Sequence, residues 1–304
     1  MAQLCLGTVQ FGMKYGINNS FGQPSEQEVY QMLDLAIKKG IEIFDTAMAY
    51  GTAEELLGKY IARRRISGEK IKIISKLCPN SIVDSNDIEN TIRDEIKGSL
   101  ERLKLNKLYG YLLHTPEYIY DRDILNALQR VKRDGLVSHT GVSIYNIKEG
   151  EAAIQNEGID FIQLPYSVLD QRGERSGFLR EAKSRGITIF ARSAFLQGLF
   201  MMENERIPYF LNRAKPYLKD FERLLEKYKI DRVRALLNYP AHNPYIDYVV
   251  IGTDNTAQLE ENIDKFNDSL PDEFVQEING MFHDIDEGII LPSLWANGKK
   301  VEKE

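Results

Sequence analysis

The chain is poor in the residues that build covalent or metallic frameworks. Two cysteines, Cys5 and Cys78, stand among 304 residues, so neither a disulfide scaffold nor a cysteine metal site can be assembled. Both read as small apolar residues, and the usage fits a reducing compartment. Four histidines, at positions 114, 139, 242 and 283, fall in unrelated contexts and form no metal-ligating triad, which counts against a metal-dependent lyase or isomerase. Basic charge is in deficit. The net charge of −6 argues against general nucleic-acid binding, yet leaves room for a local positive pocket. No apolar run approaches the roughly 20 residues that span a bilayer. The N-terminal MAQLCLGTVQ lacks the basic and apolar regions of a signal peptide. The expectation is a cytoplasmic protein with no membrane or nucleic-acid partner. Linkers, low-complexity tracts and charge blocks are also missing, which predicts one domain over 1–304.

What is present is a regular alternation. Short apolar runs (QLCLGTV, IEIFDT, IKIISK, YGYLLH, SHTGVSI, IDFIQLP, ITIFARS and IDYVVIG) are separated by longer amphipathic segments. The runs lack the strict alternation of a one-faced sheet, which reads as a buried parallel sheet with helical crossovers. Ser25 and Glu28 have capping-box spacing before one helix, and Thr52 and Glu55 repeat it before the next. Ile88, Ile92, Ile96, Leu100 and Leu103 mark one face of a third. Further helices are predicted over 121–134, 147–156, 176–185 and 256–266. Eight such units predict an α/β fold, a (β/α)8 TIM barrel. A doubly wound sheet is disfavoured because no GxGxxG follows the first strand. The last crossover is long, with an insertion at about 197–245 expected to hold a loop and two helices. A C-terminal helix and tail, about 271–304, contain the single tryptophan, Trp295.

Four polar residues fall at or just beyond successive strand ends: Asp45, Tyr50, Lys76 and His114. In a parallel barrel those ends surround one pocket. Carbonyl reduction needs a proton donor for the developing alkoxide, and a tyrosine serves if its pKa, normally near 10, is tuned. A nearby ammonium is expected to lower it, a carboxylate to hold that ammonium, and a histidine to orient the carbonyl. Taken singly, each has a bland reading: a turn cap, one of 16 tyrosines, a solvated charge, a core imidazole. Their joint placement carries the argument.

The motifs FDTAMAYG, IISKL, YLLHTP, GVSIYN, FIQLPYS, RSAFLQGL and IGTDNTAQLEENI, in this order, resemble the aldo-keto reductases over nearly the whole chain. The resemblance implies a (β/α)8 barrel that binds a nicotinamide dinucleotide, with Asp45, Tyr50, Lys76 and His114 as its catalytic tetrad. It implies cofactor contacts from Gly7 and Thr8 on the first strand, and from Ser143 and Gln163 to the carboxamide. Arg192 takes the place of an aromatic that often stacks on the nicotinamide. Ser193, Phe195, Gln197 and Gly198 fall in the loop over the pyrophosphate. Gly252, Thr253, Gln258, Glu261 and Asn262 fall at the adenosine end, where LEEN alone would read as a solvated helix face.

The chain departs from the family pattern at three of these positions. Ile144 replaces a common Asn, Arg192 replaces the aromatic, and Gln258 replaces an arginine that often binds the 2′-phosphate. Family habit makes NADPH the first choice and NADH the alternative. Thr253 and the helix start near Asn255 offer a place for a phosphate, and Asp254 opposes it. The implied activity is reduction of an aldehyde or ketone, sugars included, with an alcohol as the substrate in reverse. A second reading is a cofactor-binding regulatory subunit with little catalysis, as in the potassium-channel β subunits of this family. Phe11, Met48, Tyr145, Tyr166, Asp170, Phe200 and Trp295 are candidates to line the substrate pocket. Arg192 also raises the idea of an anionic substrate.

Overall fold

In the computed structural model, which describes residues 2–66, 70–83, 87–266 and 268–295, the eight apolar runs become eight parallel strands. They are β1 (Gln3–Gly7), β2 (Ile43–Asp45), β3 (Lys72–Leu77), β4 (Leu108–Leu113), β5 (Val137–Ser143), β6 (Phe161–Pro165), β7 (Thr188–Arg192) and β8 (Tyr248–Ile251). They pair in chain order, and β8 returns to β1 with Cys5 opposite Val250, closing the barrel. The chain therefore forms a (β/α)8 barrel.

Strand periodicity explains where the site lies. Cys5, Ile43, Ile74, Leu112, Phe161 and Phe190 form one buried apolar cluster inside the barrel. Two positions further along the same strands, or just past their ends, stand Gly7, Asp45, Lys76, His114, Gln163 and Arg192. Side chains at i and i+2 share a face of a strand. The polar residues thus form the next layer up, at the C-terminal mouth, on an apolar floor. Phe161 fills much of that floor, against Phe190 at 5.5 Å between ring centroids. It fits because Gly141 has no side chain: a Cβ there would meet the Phe161 carbonyl oxygen at 2.2 Å.

The helices pack their apolar stripes on the outside of the strands. They are α1 (Glu26–Lys38), α2 (Ala53–Arg64), α3 (Ile88–Leu103), α4 (Arg122–Arg133), α5 (Ile147–Ala153), α6 (Phe178–Ser184), α7 (Lys215–Tyr228), α8 (Arg232–His242), α9 (Thr256–Lys265) and α10 (Asp272–Met281). The two capping boxes predicted from spacing form only in part. Ser25 Oγ accepts from the Glu28 amide, but the Glu28 carboxylate turns away to α9, where it accepts from the Thr256 amide at 2.7 Å and hydroxyl at 2.8 Å. Thr52 makes no cap; its hydroxyl accepts from Gln23 Nε2.

Between β7 and β8 the chain makes a series of 3₁₀ turns before α7 and α8. After α10, a one-turn helix at Glu287–Ile290 is tied to the rest by Arg172–Glu287 at 2.9 Å and Arg213–Asp286 at 2.5 Å. Residues 296–304 of the expected tail lie outside the described residues.

Candidate active site

Asp45, the last residue of β2, organises the cavity floor. Its Oδ2 accepts from Lys76 Nζ at 2.7 Å, its Oδ1 accepts from Gln163 Nε2 at 2.9 Å, and its carbonyl accepts from the Thr8 hydroxyl. Lys76, on β3, is only 1% exposed. Its other bonds run to the Thr46 carbonyl and to the Tyr50 phenol oxygen, both at 3.0 Å. A buried ammonium survives only when paired and hydrogen-bonded, and all three of its N–H groups are used. Those partners hold its pKa above the ordinary value against the opposing effect of burial.

Tyr50 sits in the loop after β2. That loop packs backbone to backbone on the one-turn helix Val9–Gly12 that follows β1: a Cβ on Gly12 would lie 1.7 Å from the Tyr50 carbonyl oxygen. Gly51, at φ 56°, closes the same contact from the other side, where a Cβ would meet the Gly12 carbonyl at 2.3 Å. Two glycines therefore set the depth of the phenol.

The sequence predicts a Tyr50 pKa lowered by its ammonium neighbour, and here the structure corrects it. Desolvation is the larger effect and Asp45 adds to it, so the pKa is raised despite Lys76. The phenol therefore stays protonated at neutral pH. Lys76 can only donate, so that proton is left for another acceptor. His114 stands beside it, ring edge to ring face, with centroids 5.8 Å apart. Burial, with the charges of Lys76 and Arg192, pushes its pKa down to about 3. The imidazole is neutral, and its Nδ1 is buried without a hydrogen-bond partner among the described residues.

Tyr50 and His114 open into a cavity of about 630 Å³. Gly7, Thr8, Ser143, Gln163, Arg192, Ser193, Phe195, Gln197, Gly198, Gly252, Gln258, Glu261 and Asn262 also line it, with Asp45 at its floor. Lys76 lies behind Tyr50 rather than on the wall. Thr253 is the exception among the predicted cofactor positions. It is 1% exposed and its hydroxyl points to the Met32 sulfur, so it is not available to a ligand in the cavity.

The predicted substrate positions fare worse. Tyr145 alone lines the cavity. Phe11 is fully buried, Phe200 packs on Phe221, Tyr166 stacks on Tyr239, Trp295 packs on Phe210, and Asp170 is paired with Arg172. Met48 is exposed and off the wall. Sequence reasoning missed Gln10, Tyr15, Asn18 and Asn19, which line the cavity from the β1–α1 connection. The run GMKYGINNSFG (12–22), rich in Gly and Asn soon after the first strand, was the available signal for Tyr15, Asn18 and Asn19. The connection is laced to the loop after β7: the Ile17 amide donates to the Gln197 carbonyl at 3.0 Å, and Gln197 Nε2 donates to the Tyr15 hydroxyl at 3.0 Å.

Comparison with known proteins gives this arrangement a family. The profile described as "Aldo/keto reductase family" matches residues 3–282. The chain belongs to the aldo/keto reductase family. An uncharacterized oxidoreductase of Bacillus subtilis, YrpG, is 25% identical over 93% of this chain and 92% of its own length. A D-threo-aldose 1-dehydrogenase from Pseudomonas is 23% identical over 81% and 85%. Among solved structures, the holo form of the aldo-keto reductase AKR11C1 from Bacillus halodurans superposes with a TM-score of 0.74, at 23% identity and 93% coverage of both chains, which shows the shared barrel. As an aldo-keto reductase the protein is an NAD(P)-dependent oxidoreductase of a family that acts on small-molecule carbonyls. No helix among its described residues is long and apolar enough to cross a membrane.

Proposed function

We propose that the protein reduces an aldehyde or ketone, sugars included, to the alcohol, with Tyr50 as the general acid. The observation that carries this reading is the Lys76–Tyr50 contact at 3.0 Å within the Asp45–Lys76 ion pair. The cavity suits a nicotinamide dinucleotide: its volume falls within the roughly 300–1,000 Å³ of ligand sites. Gly7 and Gly252 contribute to its wall, the latter under the Gln10 amide, and Ser143 and Gln163 put amide-binding groups beside Asp45.

Bound there, the reduced nicotinamide supplies the hydride to the carbonyl carbon. Tyr50 gives its phenolic proton to the carbonyl oxygen as negative charge develops on it. Lys76 stabilises the phenolate left behind. Asp45 keeps Lys76 charged and oriented, and Gln163 takes the second Asp45 oxygen. Neutral His114 hydrogen-bonds the carbonyl oxygen and turns it toward Tyr50. In the oxidative direction the same phenolate accepts the alcohol proton.

The adenosine end favours NADH, the reverse of family habit. The start of α9, which the sequence offers to a 2′-phosphate, is already capped by the Glu28 carboxylate at 2.7 Å from the Thr256 amide. Asp254 lines the cavity beside it, held by Asn19 Nδ2 at 3.1 Å. Gln258 spends its Oε1 on the Asp254 amide. At the start of α9 a 2′-phosphate would meet the Glu28 and Asp254 carboxylates, with Glu261 also on the wall, and no lysine or arginine among the described residues lining this end. Fluorescence titration with NADH and NADPH tests this, followed by a carbonyl panel with the tighter dinucleotide. NADPH is expected to bind at least about tenfold more weakly. Equal binding removes the cofactor assignment, and no turnover of any carbonyl removes the reductase reading.

A further inference from the structure

Arg192 is a cation without a counter-ion among the described residues. It ends β7 and lines the cavity that Tyr50 and His114 open into, where no other lysine or arginine contributes to the described wall. Its contacts are with neutral groups. Nη2 donates to the Ile144 carbonyl at 2.9 Å, Nη1 reaches the Ser193 hydroxyl at 3.4 Å, and the guanidinium lies 4.6 Å from the Tyr145 ring centroid. A guanidinium carries five N–H groups, so most of its donor capacity is unspent.

The group is also held ready. Its stacking platform, Tyr145, is fixed at both backbone ends: its amide donates to Glu149 Oε2 at 2.7 Å, and its carbonyl accepts from Arg172 Nη2 at 3.0 Å. Arg172 in turn is locked by Asp170 at 2.8 Å and Glu287 at 2.9 Å. The nearby carboxylate, Asp45, is committed to Lys76. Asp254 and Glu261 belong to the α9 end of the cavity. A half-buried, immobilised, unpaired guanidinium is unfavourable unless a ligand supplies the acceptor. Its planar fork suits a carboxylate or a phosphate.

We propose that the substrate carries an oxyanion, a carboxylate or phosphate, which Arg192 binds while the carbonyl faces Tyr50 and His114. The proposal rests on the reductase reading and narrows its substrate class. The rival occupant of Arg192 is the dinucleotide itself. A ratio of two substrates on the same holoenzyme cancels any effect on the dinucleotide.

Two pairs serve, with saturating dinucleotide: succinic semialdehyde against butanal, and glyceraldehyde 3-phosphate against glyceraldehyde. The wild type is expected to favour the charged member of at least one pair by about 10- to 100-fold in kcat/KM, the range of a charge-assisted hydrogen bond. Preference in one pair only identifies the anion. Arg192→Gln is expected to abolish the preference and Arg192→Lys to keep part of it. Circular dichroism and the melting temperature report whether each variant stays folded, and dinucleotide Kd reports whether Arg192 also touches the dinucleotide. Calorimetric binding of succinate and of inorganic phosphate to the NAD⁺-saturated protein gives a readout independent of turnover, and it too should need Arg192. A wild type without preference, a preference that survives in Arg192→Gln, or neither anion bound when no test carbonyl is turned over overturns the proposal. Turnover of neutral carbonyls alone would still leave the reductase reading intact.

Discussion

The Lys76 ammonium lies 3.0 Å from the Tyr50 phenol oxygen, and burial nevertheless keeps that phenol protonated. The free enzyme is thereby poised as an acid. On the proposed mechanism the lysine acts when negative charge arrives on the tyrosine oxygen, so its stabilisation is directed at the reaction and not at the resting state.

This arrangement dictates a pH profile. His114 titrates at about 3, far below the ordinary imidazole value, and Tyr50 above the ordinary phenol value of 10.0. Neither changes charge near neutrality. Acid activity requires the protonated phenol, so kcat/KM for reduction should be flat from about pH 6 to 9 and fall only on the alkaline side of the phenol range. A fall in kcat/KM as pH rises through about 6.5 that disappears in His114→Gln would show that His114 works as an imidazolium.

Removing one partner of the buried pair should cost stability as well as rate. Asp45→Asn leaves Lys76, 1% exposed, without its counter-charge. The expected loss is about 3–5 kcal/mol by urea denaturation. A loss below about 1 kcal/mol would mean that water or another group compensates Lys76.

Gly12→Ala tests how the backbone sets Tyr50. The new Cβ would stand 1.7 Å from the Tyr50 carbonyl, so the Tyr50 loop must move. Because a misplacement of about 1 Å can cost about 100-fold, turnover should fall by that order even in the fraction that folds. Near-normal turnover with a normal melting temperature would contradict the packing described.

Cofactor choice should follow two carboxylates. Glu28→Gln keeps an acceptor for the Thr256 amide while removing charge, and Asp254→Asn does the same beside it. Together they should lower the ratio of NADPH to NADH Kd by about tenfold. An unchanged ratio would place the 2′ position elsewhere.

Most of the barrel was legible in the chain because parallel strands buried on both faces leave continuous apolar runs, and all eight runs became strands. The tetrad positions were legible for a related reason: Asp45, Lys76 and His114 each follow an inward-facing apolar residue by two positions. The loops were not. Phe11, Phe200, Tyr166 and Trp295 are aromatic and close to the mouth in sequence, but each faces inward to its own neighbours. Sequence spacing gives no direction to a side chain outside regular structure. The sign of the Tyr50 shift failed for a similar reason. Sequence supplies the neighbouring Lys76, while only the fold supplies the burial that outweighs it. Glu28 reads locally as a capping residue, and its bond to Thr256 spans 228 positions.

The most direct test of the account is Tyr50→Phe, assayed for both turnover and dinucleotide Kd. The ring and its packing remain, while the donated proton and the oxygen that accepts from Lys76 are lost. Turnover should fall by about 10²–10⁴ with Kd within about threefold of the wild type. Turnover within tenfold of the wild type would contradict the assignment of Tyr50 as the acid.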